Sequence, residues 1–147
     1  LRAVVTRVTS ASVTIDGAVT GRIGQGFLVL VGIAPSDTPA DAVKLADKIL
    51  GLRIFEDAQG KMNMNLAAGG GSLLIVPQFT LYADIKSRRP SFSGAARPDI
   101  AIPLYEQLIA VCRDAGYHTE TGTFGADMKV ASVNDGPVTI VIDTDMI

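Results

Sequence analysis

Histidine and cysteine are almost missing from this chain, which holds a single His118 and a single Cys112. One cysteine excludes an intrachain disulfide and a cysteine-built metal cluster. One histidine leaves too few partners for a histidine-based triad or a site with several histidine ligands. A lone histidine in a strand is ordinarily structural, and Cys112, on an apolar helical face, reads as a buried thiol. No apolar run approaches the roughly 18 residues that a membrane span takes. The longest apolar stretch, residues 26–34, is strand-sized. Residues 1–7 lack the long apolar region and the small-residue cleavage site of a signal peptide, so a cytoplasmic protein is expected. Positive charge is not in excess: the net charge is −2 and the sequence pI about 5.2. That argues against broad wrapping of nucleic acid, though not against gripping one end of an RNA. Aromatic residues are 5% of the chain, too few for a platform on which many bases stack.

What is present suits one domain spanning residues 1–147. Hydrophobic residues make up 48% of the 147, enough to offset ordering entropy around one core. The 15 glycines and 7 prolines imply many turns and short strands. Residues 2–15, rich in Val, Thr and Ile, read as strand with a break near Ser10. Asp16-Gly17 is a hairpin turn signal, with residues 18–22 as the return strand. Residues 26–33 form a nearly continuous apolar run, as a buried strand does.

Thr38 is a fitting helix N-cap, Pro39 suits the first helical position and Asp41 the first turn. Ala42, Leu45, Ala46 and Ile49 share one face, and Gly51 closes the helix. Residues 52–56 return to strand and 57–60 turn. Gly69-Gly70-Gly71 lacks a following Gly-Lys-Ser/Thr or helical pattern, so it reads as a flexible connector and not a phosphate cradle. Residues 73–76 then form a central strand that delivers residues 77–81 to a sheet end. Residues 83–97 are polar and basic, hence a loop. A second helix starts at Pro98, with Ile102, Tyr105, Ile109 and Cys112 on one face, a bend expected near Pro103, and its end at Gly116. Short strands near 117–121, 127–133 and 137–143 complete an α+β fold: a strongly bent, barrel-like β-sheet with two main helices packed outside.

Three segments could carry chemistry. Pro77-Gln78-Phe79-Thr80-Leu81 puts polar Gln and Thr beside Phe at a sheet mouth, where a pocket could form; alone it is an ordinary strand end. Asn134-Asp135-Gly136-Pro137 is turn chemistry and could simply join two strands. Phe124-Gly125-Ala126-Asp127-Met128 supplies a Phe and a Met that would ordinarily pack in a core. Lys86, Arg88 and Arg89, with Arg97 nearby, make the densest basic stretch, which on charge alone is a solvated loop. The acidic pairs Glu56-Asp57 and Asp143/Asp145 fall at turns or on a terminal strand and do not read as catalytic dyads.

Taken together and in order, these segments are far more specific. Over nearly its full length the chain resembles the D-aminoacyl-tRNA deacylase family. The resemblance runs from Arg2-Ala3-Val4-Val5 and Arg7-Val8 through Gln78-Phe79-Thr80-Leu81-Tyr82-Ala83-Asp84 and Arg88-Arg89-Pro90-Ser91-Phe92. It ends on Phe124-Gly125-Ala126-Asp127-Met128 and Asn134-Asp135-Gly136-Pro137-Val138-Thr139.

The resemblance implies a homodimer whose active sites lie at the subunit interface, with no metal and no cofactor. It implies a pocket lined by residues 77–81, with Gln78, Phe79 and Thr80 as the catalytic segment and Pro77, Leu81, Phe124 and Met128 around it. It also implies that Gly136-Pro137 is joined by a cis bond, reaches in from the opposite subunit and rejects L side chains, with Arg7 holding that turn. The implied reaction is hydrolysis of the ester joining a D-amino acid, or glycine mischarged on tRNA(Ala), to the 3′-terminal adenosine of tRNA. Lys86, Arg88 and Arg89 would then grip the acceptor end. Two mechanisms stay open: Thr80 as a nucleophile, which needs a base, or water assisted by the vicinal 2′-hydroxyl with backbone N–H groups near Phe79 and Thr80 holding the oxyanion.

One position departs from the family. Most members carry Ser where this chain has Pro77, and a related animal group with relaxed chirality has Pro there. Phe79, Asn134, Val138 and Thr139 follow the D-specific pattern, so D-specificity is expected. The rival readings are a relaxed-chirality deacylase, a non-catalytic nucleic-acid-binding dimer using the basic loop, and a purely structural dimer.

Overall fold

The longest strands run along the two ends of the chain and pair with each other. In the computed structural model, which describes residues 1–147, β1 (Arg2–Ile15) lies antiparallel to β8 (Lys129–Asp143) along nearly its whole length. On its other edge β1 pairs first with β3 (Gly26–Gly32) and then, past Val8, with β2 (Ala18–Ile23). β6 (Ser72–Pro77) and β7 (Thr119–Thr121) continue the sheet in parallel from β3. A separate small hairpin joins β4 (Phe55–Glu56) to β5 (Met62–Met64).

Side-chain alternation explains why this sheet bends. Ala3 and Val5 of β1 face the helices, whereas Ala11 and Val13 face the inside of the curved sheet. The change of face falls at Val8 to Ser10, where the register with β8 slips and Thr9 and Ser10 are exposed. A one-residue slip moves a strand's side chains to the opposite face. The break expected near Ser10 is therefore a switch of face within a continuous strand. The Asp16-Gly17 turn has both residues at positive φ, 49° and 80°, which suits a tight hairpin between twisted strands.

β3 and β6 are buried on both faces. Phe27, Val29, Leu73 and Ile75 join the larger core under the helices; Leu28, Leu74 and Val76 join the smaller core inside the bend. Hence the unbroken apolar runs. β2 folds over that inner core, and a Cβ at Gly21 would come within 2.9 Å of the Thr121 carbonyl oxygen. Glycine there lets the curved sheet nearly close on itself.

α1 (Pro39–Gly51) buries Ala42, Leu45, Ala46 and Ile49, the face its spacing predicts. Its start is held by Thr38, whose amide donates to the Asp41 carboxylate at 2.8 Å. α3 (Pro98–Asp114) packs beside α1 and passes through Pro103. Its core face differs in part from expectation: Ile102 is half-exposed, and Ala101, Leu104 and Leu108 are buried alongside Tyr105, Ile109 and Cys112.

Three further expectations need correction. The triple glycine is not a loose connector: α2 (Leu66–Gly69) ends there, and Gly70, at φ 68°, caps it with its amide on Leu66 and Ala67 carbonyls. Of residues 52–56 only Phe55 and Glu56 form strand. The chain from 129 to 143 is a single strand and not two strands around a turn. Asn134 pairs with Val8 and Thr139 with Thr6, so residues 135–138 stand out from the ladder as a bulge.

Candidate active site

Beyond β6 the chain tightens into a 3-10 turn over Phe79–Tyr82. The Gln78 amide still donates to the Val31 carbonyl at 2.7 Å, so the turn hangs directly from the sheet end. It forms one wall of a groove of about 600 Å³. Pro77, Gln78 and Phe79 line that wall, and Phe124 and Met128 line the opposite side. Met128 is itself seated, its sulfur accepting from the Thr123 amide at 3.4 Å.

Two residues of the predicted lining lie elsewhere. Leu81 turns back toward β3, where its Cβ would be 3.2 Å from a Cβ added at Gly32, and it does not line the groove. Thr80 is half-buried and also absent from the lining; its hydroxyl oxygen accepts a short hydrogen bond from Gln78 Nε2. The 3-10 turn, which alternation cannot foresee, rotates these two side chains away.

The groove's third wall was not foreseen in the sequence. Phe92, Ala95, Ala96, Arg97 and Pro98 supply it from the loop and the start of α3. Phe92 meets Phe79 edge-on, with ring centroids 5.2 Å apart and planes at 79°. The Arg88-Arg89-Pro90-Ser91-Phe92 stretch was the signal available for it.

Acid–base chemistry is sparse in this groove. Asp127 is its one carboxylate, and it is exposed and 3.2 Å from Lys129 Nζ. Arg97 is its one cation. His118 sits outside it, exposed, 3.8 Å from Glu120. No group of three His, Cys, Asp or Glu side chains converges anywhere as metal ligands must.

Gly136 and Pro137 do not line this groove. They sit on the exposed bulge of β8, where the Gly136–Pro137 peptide bond is cis. Asn134 braces the bulge: its side-chain oxygen accepts from the Val138 amide and its side-chain nitrogen donates to Thr139 Oγ1, both at 2.9 Å. Arg7, buried in β1, donates through Nε to the Asp135 carbonyl at 3.0 Å and through Nη1 to the Ile54 carbonyl at 2.6 Å. Gly136 has φ 129°, and a Cβ there would lie 2.8 Å from Val138 Cγ2 and 3.0 Å from Arg7 Nη2. Arg7 and Asp135 border a separate hollow of about 410 Å³ with Glu56 and Met64.

Lys86, Arg88 and Arg89 lie at the exposed end of a loop closed by Asp84 and Ser91, which exchange backbone hydrogen bonds at 2.7 and 2.9 Å. Phe92, which lines the groove, directly follows the closing residue Ser91.

Comparison with known proteins agrees along the whole chain. The profile of a family described as D-Tyr-tRNA(Tyr) deacylase matches residues 4–143. A D-aminoacyl-tRNA deacylase of Desulfitobacterium hafniense is 55% identical over 146 residues, covering 99% of this chain and 98% of that protein. One from Thermus aquaticus is 54% identical over 145 residues, covering 98% and 95%. A solved structure described as c-Myc DNA Unwinding Element Binding Protein superposes with TM-score 0.92 at 39% identity, over 97% of this chain and 98% of that one. A second, described as a probable eukaryotic D-amino acid tRNA deacylase, has TM-score 0.84 at 18% identity over 96% and 97%, and shares the fold.

Proposed function

Because the chain belongs to the D-Tyr-tRNA(Tyr) deacylase family and is, with it, a hydrolase of the ester bond of D-aminoacyl-tRNA, we propose that the groove beside Phe79–Tyr82 receives the 3′-terminal adenosine and its ester. Phe124 and Met128 offer apolar surface to the base. The aminoacyl ester then lies against Gln78 and Phe79.

The observation that carries the mechanism is the state of Thr80. Its hydroxyl is engaged by Gln78 and hydrogen-bonds to no histidine, lysine or carboxylate that could deprotonate it. A neutral hydroxyl without a base is a poor nucleophile. Water is therefore the nucleophile, and the vicinal 2′-hydroxyl of the RNA orients it and relays its proton to the departing 3′-oxygen. The amides of Phe79 and Thr80 hold the oxyanion. Collapse breaks the ester C–O bond, leaving free D-amino acid and a tRNA 3′-hydroxyl.

Chirality is decided by backbone. In this reading Gly136 and Pro137 of a second copy of the chain enter the groove and leave no room for an L side chain. Their exposure on the β8 bulge, away from the groove of their own chain, supports that arrangement. So do the unpaired outer edge of β8 and its exposed Val133 and Val141. Arg7 keeps the bulge in shape. Glycine has no side chain to reject, so glycyl-tRNA(Ala) is also a substrate. The basic tip at Lys86, Arg88 and Arg89 contacts acceptor-stem phosphates.

The deciding experiment compares D-tyrosyl-tRNA, L-tyrosyl-tRNA and a D-tyrosyl-tRNA ending in 2′-deoxyadenosine. The first should be hydrolysed and the other two left intact. The Thr80→Ala and Asp127→Asn proteins should keep near-parental turnover. A trapped aminoacyl-enzyme that disappears in Thr80→Ala would replace this mechanism with covalent catalysis. Equal turnover of the D and L substrates would favour the relaxed-chirality reading, for which Pro77 in the groove wall is the specific observation.

A further inference from the structure

The 3-10 turn is held from behind as well as from the sheet. Arg2 opens β1 and stands outside the groove. Its Nη1 donates to the Leu81 carbonyl at 3.1 Å. Its Nε donates to the Asp143 carboxylate at 2.9 Å. Its guanidinium carbon lies 4.5 Å from the centre of the Tyr82 ring. One side chain thus joins the first strand, the last strand and two consecutive residues of the turn.

The opposite side of the turn has no slack. A Cβ added at Gly32 would lie 3.0 Å from the Gln78 carbonyl oxygen, 3.1 Å from Tyr82 Cδ2 and 3.2 Å from Leu81 Cβ. Arg2 pairs in register with both Gly32 and Asp143, so the turn is gripped between neighbouring points of the same sheet end. Guanidinium suits this task because its planar fork can donate in two directions while its face stacks on an aromatic ring; an ammonium cannot do all three.

We propose that Arg2 is a positioning residue for the deacylation site: held by Asp143 and stacked on Tyr82, it fixes the Gln78–Tyr82 segment at the distance the scissile ester requires. This rests on the reading that the segment faces the ester. Arg2 touches no groove residue other than through the turn, so its loss should act on the reacting geometry and not on substrate affinity. A misplacement on the order of 1 Å can cost about 100-fold in rate.

The test uses the Arg2→Ala, Arg2→Lys and Asp143→Asn proteins and the double variant Arg2→Ala/Asp143→Asn. Steady-state deacylation of D-tyrosyl-tRNA and hydrogen exchange at the Leu81 and Ala83 amides, which close the turn on Gln78 and Thr80, are both measured. Arg2→Ala should lower kcat at least about tenfold with KM within about twofold, and exchange at these two amides should quicken while the core is unchanged. Arg2→Lys should recover only part of kcat. Adding Asp143→Asn to Arg2→Ala should change kcat no further, because Asp143 acts through Arg2. Parental kcat in Arg2→Ala would overturn the proposal. So would a loss shared equally by kcat and the melting temperature with exchange at Leu81 and Ala83 unaltered. Absence of turnover in the parent protein would instead remove the functional reading and the proposal with it.

Discussion

Arg7 and Asp135 are 128 positions apart in the chain, yet the guanidinium of one donates to the backbone carbonyl of the other at 3.0 Å. That bond lies at the base of the β8 bulge. Removing the guanidinium leaves the Asp135 and Ile54 carbonyls without their donor, and an orphaned buried polar group costs about 1–3 kcal/mol. Arg7→Ala should lower stability in urea by that amount and also raise the rate of L-tyrosyl-tRNA hydrolysis relative to the D form. Arg7→Lys should restore little of either, since one ammonium cannot serve both carbonyls in the same fork.

Gly136→Ala meets two obstacles at once. Its φ of 129° disfavours an L side chain, and the new methyl would press on Val138 and Arg7. We expect deacylation to fall at least about tenfold while the circular dichroism of the fold is retained, because the strain is confined to an exposed bulge. Unchanged activity would show that the bulge shape does not matter to the reaction.

Cys112 is buried on the inner face of α3, and burial pushes its thiol up to about 11. The folded protein should therefore resist a thiol-selective reagent at pH 8 and react stoichiometrically once denatured. The sign for stability follows. A thiol raised by burial stabilises the fold at and below the ordinary thiol value of about 8.5; as pH rises beyond it the unfolded chain ionises first, and stability declines towards pH 11. Denaturant midpoints between pH 7 and 10.5 should show that decline, and Cys112→Ala should flatten it.

The carboxylate of Asp143 behaves oppositely. Burial raises it, but the hydrogen bond from Arg2, the Asp145 amide and the charge of Arg2 together hold it below the usual range. A depressed carboxyl stabilises the fold above the unfolded value of about 3.9, and that stabilisation is lost as pH falls through the lower folded value. The Arg2 partner is partly exposed, so solvent limits the contribution to about 1 kcal/mol or less. Asp143→Asn should be less stable than the parent by that amount at pH 7 and indistinguishable from it near pH 2.

Much of the framework was legible in residue order. The Val, Thr and Ile content of residues 2–15, unbroken apolar runs at 26–33 and 73–76, and the Thr38-Pro39 start of α1 each state a local preference that packing then satisfies. The groove was legible only in halves. Pro77, Gln78 and Phe79 meet Phe124 and Met128 because a long parallel crossover brings β6 beside β7, a relation that no local pattern encodes. Thr80 and Leu81 leave the wall because the chain coils into a 3-10 turn at the sheet end, and two-residue alternation stops there. The β8 bulge was read as a turn because Asn134-Asp135-Gly136-Pro137 has turn chemistry; the ladder from β1 resumes on both sides of it, and that ladder is a tertiary fact. Arg97 and Pro98 were seen as loop end and helix start, with no sign that they face Phe79.

The pairing of β1 with β8 has a consequence during synthesis. β1 leaves the ribosome well before β8, so one edge of β1 stays open until β8 emerges. The groove residues 77–98 and 124–128 are already made by then, whereas Asp135 and Gly136, which Arg7 awaits, are not. A chain ended before β8 holds the groove residues without the bulge that Arg7 braces. The order of translation makes the Arg7-braced bulge the last part of the fold to form.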